Sequence, residues 1–138
     1  LHPVAHSFPT RRSSDLSVVP IPGVSAITAL MSVCGLSVNG VIFEGFLSPK
    51  SGRRRRKLQE LLDTGRPVLL YESPFRILKL LEDLTELSCE REIFLGREMT
   101  KLHEEFIRGT AEHIIGILEC RGAQKGEFTL LVSEEKKK

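Results

Sequence analysis

Residues 67–98 read PVLLYESPFRILKLLEDLTELSCEREIFLGRE, and this stretch decides the fold class. PVLLYE is a short apolar run suited to a buried strand. Ser73–Pro74 reads as a helix N-cap followed by Pro at the first helical position. Ile77, Leu80, Leu81, Leu84 and Leu87 then recur at helical spacing and mark one buried stripe. Arg91–Met99 returns to a strand pattern. A strand, a helix and a second strand within so few residues predict an α/β unit.

The pattern repeats on both sides. Upstream, Val41–Leu47 (VIFEGFL) is an expected strand and Ser48–Gly52 a loop. A basic helix follows with Leu58, Leu61 and Leu62 on one face, ended by Thr64–Gly65. Earlier still, Val18, Val19 and Ile21 read as a strand end broken at Pro20 and Pro22–Gly23. Val24–Cys34 is a helix apolar almost all round, so its burial is expected, with Gly35 as its stop. Downstream, Glu104–Arg108 is a further strand. Thr110 can cap a helix with Ile114, Ile115 and Leu118 inward, and GEFTLLVSE, 126–134, is the last strand. The expected architecture is α/β, a mixed sheet packed with one layer of helices. Residues 134–138, EEKKK, read as a charged, frayed end.

SFPTRRSSDL, residues 7–16, has no apolar period. As protein it would be a flexible basic arm. It is also the translation of TCT TTC CCT ACA CGA CGC TCT TCC GAT CT, a widely used short-read sequencing adapter. Residues 1–16 are therefore read as an artefact, disordered and dispensable, and are set aside from fold reasoning. The domain is expected to span residues 17–133.

The 138 residues have the composition of an ordinary globular domain. A net charge of +2 is too small to imply nucleic acid by itself, but SGRRRRK at 51–57 concentrates positive charge. Cys34, Cys89 and Cys120 lack CxxC spacing, which argues against a disulfide framework or a metal site and fits a reducing cytoplasm. Val24–Leu36 is too short and too interrupted to span a bilayer, so no membrane partner is expected.

Four patches could carry chemistry. PIPGVSA, 20–26, turns from a strand end through Gly23 into a helix, presenting first-turn N–H groups to a ligand; it equally suits a plain turn. YESPFR, 71–76, places a tyrosine, a carboxylate and an arginine at a strand's C-terminal end, where open α/β sheets bind ligands; a capped helix start reads the same way. GREMTKLHEE, 96–105, crowds charge between two strands. A Glu–Lys pair there could serve proton transfer, and a solvated turn is the alternative. PKSGRRRRK, 49–57, suits phosphate contact through Lys50, Arg53, Arg54, Arg55 and Arg56, without aromatics to read bases, unless it is a solvated helix face.

Taken together, VVPIPGVSAITAL, FEGFLSPKSGRRRR, LLYESPFRIL, LGREMTKLHEEFIRGT and KGEFTLLV resemble, from Ser17 to Val132, the small-subunit ribosomal RNA methyltransferases of the tetrapyrrole methylase superfamily. The match is to the C-terminal part of their catalytic region. PGVSA and the last strand are shared across the superfamily. The EGF-L-x-P-K…RR, YES-x-x-R and RE-x-TK-x-x-E segments point to the ribosomal RNA branch.

The resemblance implies the second α/β domain of a two-domain enzyme that uses S-adenosylmethionine to methylate a cytidine ribose 2′-hydroxyl. Gly23, Ser25 and Ala26 fall in its cofactor loop. Tyr71 and Glu72 fall at a strand end lining the same cleft, and Gly126, Glu127, Phe128 and Thr129 near the adenine. Glu98, Lys101 and Glu105 match the motif associated with the reaction. Lys101 is expected to stabilise oxyanion charge, and Glu98 or Glu105 to take or orient the proton. Arg76 joins the basic helix as a candidate RNA contact. The family's first domain, with its glycine-containing loop and Asp-Ala-Gly-Thr-Pro segment, has no counterpart here. The chain therefore reads as a fragment, inactive alone, whose full-length parent could be a homodimer. The competing expectations are a precorrin-type tetrapyrrole methyltransferase and a non-catalytic RNA-binding domain. The arginine run disfavours the first, and the GREMTKLHEE cluster disfavours the second.

Overall fold

The computed structural model describes residues 17–37 and 39–135; the adapter-like segment and the last three lysines lie outside the described residues. Four helices and five strands follow in the order α1 (Ala26–Val33), β1 (Ile42–Phe46), α2 (Ser51–Asp63), β2 (Val68–Glu72), α3 (Ile77–Leu87), β3 (Ile93–Arg97), β4 (Glu105–Gly109), α4 (Ala111–Glu119) and β5 (Phe128–Val132). The strands form one mixed sheet in the order β1-β2-β5-β3-β4. β1 and β2 are parallel, and β5 runs antiparallel to both of its neighbours, β2 and β3. β3 and β4 form an antiparallel pair. No helix among the described residues is long and apolar enough to cross a membrane.

Helices cover both faces of the sheet, where a single layer was expected. Leu58, Leu61 and Leu62 of α2, the α3 stripe, and Ala111, Ile114 and Leu118 of α4 pack on Val68, Leu70, Leu95, Phe128 and Leu130. The other face is covered by α1, through Leu30 and Cys34 against Leu69, Phe94 and Leu131. Residues alternate across a strand, so neighbours such as Leu69 and Leu70 serve opposite cores.

Two further expectations change. The Val18–Ile21 stretch forms no strand, and Val18, Val19, Ile21 and Val24 are exposed. α1 is not buried all round; of its eight residues only Leu30 is fully so. Ile27 and Met31 are partly buried against the same core, and Val33 is exposed, because a single helix touches the sheet along one stripe. The helix after Ser73 also starts later than expected. Residues 74–76 form a turn, and the Ser73 carbonyl, not its hydroxyl, accepts from the amides of Arg76 (3.1 Å) and Ile77 (3.0 Å). Thr110 caps α4 as expected, accepting from the His113 amide at 3.3 Å. At the chain's described end the Glu135 amide donates to the Gly65 carbonyl at 3.1 Å, so that residue is tied down rather than frayed.

α1 sits close because β3 carries Gly96 beneath it. A Cβ there would lie 2.7 Å from Met99 Sδ and 2.8 Å from Leu30 Cδ1. Gly96→Ala is expected to cost about 1–3 kcal/mol by overpacking, read from urea unfolding. An unchanged midpoint would show that α1 is not seated on β3 as described.

Candidate functional site

The topology gathers most of the expected site residues at one end of the sheet. β2 and β3 both run antiparallel to β5 and are therefore parallel to each other, as β1 is to β2. The C-terminal ends of β1, β2 and β3 thus lie together with the N-terminal ends of β4 and β5. Lys50 and Arg53 follow β1, Tyr71–Arg76 end and follow β2, and Glu98–Lys101 follow β3. Glu105 opens β4, and Gly126–Thr129 lead into β5. α1 points its first turn the same way. Leu30 meets Gly96 near the end of β3, whereas Gly35 beyond the helix lies nearest Arg108, which bonds Glu92 ahead of β3. Ser25, the N-cap of α1, makes no side-chain capping bond, and Gly23 has open space around its Cα. Amides at that turn remain available to an anion.

Lys101 is the hub of the segment after β3. Its Nζ donates to Glu98 Oε1 at 3.2 Å and to Glu127 Oε2 at 3.1 Å. Glu98 is itself bound to the approach of β5. Its amide donates to the Glu127 carbonyl at 3.0 Å, and its Oε1 accepts from the Glu127 amide at 2.7 Å. Glu98 sits at φ 50°, and Gly126 at φ 99° leaves room for it. A Cβ on Gly126 would lie 2.5 Å from Glu98 Cγ. The Glu127 amide and then Lys101 hold the Glu98 carboxyl below the ordinary carboxylate range. Glu127 and Glu98 in turn raise the Lys101 ammonium above its ordinary value.

Glu105 belongs to a different cluster. It accepts from Arg121 and lies 3.6 Å from Arg97 Nη1, and Arg121 before all else lowers its pKa. Both Glu98 and Glu105 are thus stabilised as anions. Glu98 is paired with Lys101 and the Glu127 amide, and Glu105 with Arg121 and Arg97.

Tyr71 and Glu72 do not line the same surface. Tyr71 shares the α1 side of the sheet with Thr129, its register partner. There its ring meets Phe43 (centroids 5.2 Å apart) and Phe46 (5.5 Å). Residues three apart on a strand normally face opposite ways. The register shift between Phe43 and Gly45, with Gly45 at φ 78°, turns both phenylalanines to one side. This half-exposed aromatic group escaped the sequence reading, although a glycine inside a strand pattern signals a bulge. Glu72 points to the opposite face and is 2 % exposed. Its Oε1 accepts from the Ser73 amide (2.7 Å) and Arg76 Nε (3.1 Å), while Oε2 and Ser73 Oγ are buried without partners among the described residues. Glu72 thus holds Arg76 and faces away from the Tyr71 side. Phe128 likewise lies in the helix-side core.

The basic helix divides. Arg54, 4 % exposed, bonds Asp83 of α3 at 2.6 Å, and Arg55 reaches Asp83 (3.0 Å) and Glu86. Arg54 is thus withdrawn from the solvent contact expected of it. Arg53, Arg56 and Lys50 are exposed. An open cleft of about 790 Å³ lies at the other end of the sheet, lined by Thr64–Pro67 and Cys89–Arg91 among others, and none of the expected site residues borders it.

A profile of the tetrapyrrole (corrin/porphyrin) methylases matches residues 5–115. The chain belongs to the tetrapyrrole methylase family. Within that family it is 41 % identical over 121 residues to "Ribosomal RNA small subunit methyltransferase I" of Synechocystis, covering 87 % of this chain and 43 % of the relative. The Thermotoga maritima protein of the same name is 42 % identical over 113 residues, 82 % of this chain and 50 % of its own. The chain spans about half the length of the curated relatives it matches. Among solved tetrapyrrole methylase folds, cobalt precorrin-4 methyltransferase CbiF superposes with a TM-score of 0.63 at 16 % identity, over 82 % of this chain and 50 % of that one. Methyltransferase CobJ superposes with a TM-score of 0.58 at 19 % identity, over 82 % and 49 %. At such identities the likeness is one of fold.

The depressed carboxylates give a signed pH dependence. A lowered folded-state pKa adds stability above the unfolded value, and that stability is lost as pH falls through the folded one. The stabilisation should be complete at neutral pH and fade below the ordinary glutamate value of 4.5. In an NMR titration the Glu98 and Glu105 carboxyls should both titrate below that value. Lys101→Met should raise Glu98 alone. A Glu98 midpoint at or above 4.5 would contradict the network.

Proposed function

We propose that this chain forms one wall of an S-adenosylmethionine-dependent methyltransferase acting on the ribose 2′-hydroxyl of a cytidine in small-subunit ribosomal RNA. The observation that carries the reading is the convergence of the α1 first turn, Tyr71, the Glu98–Lys101–Glu127 network and the Gly126–Thr129 strand entry on one sheet end. The curated relatives at about 40 % identity, named as ribosomal RNA methyltransferases, support the choice of substrate.

The residues present fit the cofactor. Uncapped amides at Ser25–Ala26 suit its carboxylate, and the bulge-built aromatic face of Tyr71, Phe43 and Phe46 suits a flat apolar ring. The Glu98 and Glu127 carboxylates lie where positive charge is welcome. Bound there, the cofactor would supply an electrophilic methyl group on a sulfonium. Lys101, kept charged by its two carboxylates, stabilises negative charge growing on the ribose oxygen, and the hydroxyl proton leaves to solvent water as the oxygen gains the methyl group. Glu98 and Glu127 hold the ammonium in place. Glu105 keeps Arg97 and Arg121 in order at the β3–β4 edge. Arg76, held by Glu72, is available to an RNA phosphate through the rest of its guanidinium.

A tetrapyrrole substrate is the second reading, favoured only by fold likeness. The unpaired cations after β1 suit a polyanion better than a broad apolar ring system.

The test joins this chain to the remaining sequence of the Synechocystis relative and measures methyl transfer to unmodified small ribosomal subunits. Lys101→Met should lower kcat by about 10²-fold or more, as loss of one transition-state charge contact does, with cofactor affinity nearly unchanged. Glu105→Gln should cost far less. A Lys101→Met loss confined to cofactor affinity would place that lysine in the cofactor pocket. Methylation of a precorrin but not of ribosomal RNA would sink the substrate assignment.

A further inference from the structure

The four consecutive arginines at 53–56 are not equivalent. Arg54 and Arg55 point toward α3, where the buried Asp83 takes one of them on each carboxylate oxygen: Arg54 Nε on Oδ2 at 2.6 Å and Arg55 Nη1 on Oδ1 at 3.0 Å. Arg54 Nη1 also donates to the Pro49 carbonyl at 3.3 Å, gripping the loop that carries Lys50. Lys57 is occupied by Glu44 at 3.6 Å and Glu60 at 3.9 Å. Arg53 and Arg56 are exposed and have no ion pair or side-chain hydrogen bond among the described residues. Three residues apart, they stand beside each other on the outer face of α2.

This arrangement is poor for stability taken alone. Cations crowd the start of α2, whose first turn holds no acidic residue and whose N-cap is Lys50. The positive end of a helix dipole disfavours them there. The nearby carboxylates Asp83, Glu86, Glu44 and Glu60 are committed to Arg54, Arg55 and Lys57, which leaves Arg53 and Arg56 uncompensated.

We propose that Asp83 is a positioning residue that clamps α2 through Arg54 and Arg55, so that Arg53 and Arg56, with Lys50, form the set that contacts RNA phosphates. The inference rests on the ribosomal RNA reading above and, Arg76 apart, narrows the basic-helix set from five cations to three. It also extends the functional machinery to an acidic residue that never touches RNA.

Three variants of the full chain, with an unmodified small-subunit ribosomal RNA transcript as probe, separate this from general electrostatics. Arg53→Gln with Arg56→Gln should reduce the slope of log affinity against log salt by about two units, one for each lost phosphate contact. Lys at both positions should restore most of the slope. Asp83→Asn removes a negative charge, so bulk attraction alone would tighten binding. Loss of the clamp should instead weaken it severalfold in protein shown to be folded by its thermal transition. Tighter binding by Asp83→Asn, or an unchanged slope in the double variant, would overturn the proposal. Where Asp83→Asn fails to fold, the double variant decides, since Arg53 and Arg56 are exposed and hold no ion pair among the described residues. Absence of any salt-sensitive binding by the unaltered chain would remove the RNA reading and this inference together. Binding that ignores Arg53 and Arg56 would remove the inference alone.

Discussion

β5 is the last strand in sequence and the middle one in space. All five of its residues are buried, and it pairs antiparallel with β2 on one side and β3 on the other. That insertion is the constraint on which the rest depends. Because β5 opposes both neighbours, β2 and β3 must run the same way, and their C-terminal ends must open on the same side. Segments far apart in sequence, after residues 46, 72 and 97 and before 128, are thereby brought to one place. The Glu98–Glu127 backbone and side-chain bonds continue the β3–β5 ladder past its last pair, which couples the candidate site to the sheet itself.

Strand alternation then assigns work to the residues that arrive there. Tyr71 and Thr129 stand on the half-open α1 side, whereas Glu72 and Phe128 are consumed by the helix-side core. A carboxylate as buried as Glu72 has to be paired, because stripping water from an unpaired charge is too costly. Its bonds to the Ser73 amide and Arg76 pair one carboxylate oxygen, with Oε2 left buried and unpartnered among the described residues, and they fix where Arg76 emerges. The same economy governs Asp83, whose two arginines come from the next helix. Buried acids in this fold aim basic side chains.

The alternation of strands and helices was legible in the sequence because it rests on local apolar period, and the cap at Thr110 because it rests on one side chain three residues from its partner. Glu98 and Lys101 were legible as a pair for a similar reason, being neighbours after a strand. What could not be read was set by distance along the chain. Nothing in RRRRK says that its second and third arginines meet an aspartate 29 and 28 residues later. The separation of Glu105 from Lys101 depends on Arg121, 16 residues beyond. The exposure of α1 was misread because an all-round apolar helix implies burial only where something lies on every side of it. The aromatic group of Phe43, Phe46 and Tyr71 depends on a one-residue bulge, which shifts faces without changing composition.

The central claim is that ligand chemistry gathers at the strand ends opened by β5 and not at the open cleft opposite. The most direct measurement is backbone amide chemical-shift mapping of the chain with millimolar S-adenosylhomocysteine. Perturbations are predicted at Ser25–Thr28, Tyr71, Glu98–Lys101 and Gly126–Thr129, leaving the amides of Arg66 and Cys89–Arg91 unmoved. Shifts confined to Thr64–Arg66 and Cys89–Arg91, with none at the strand ends, would contradict it.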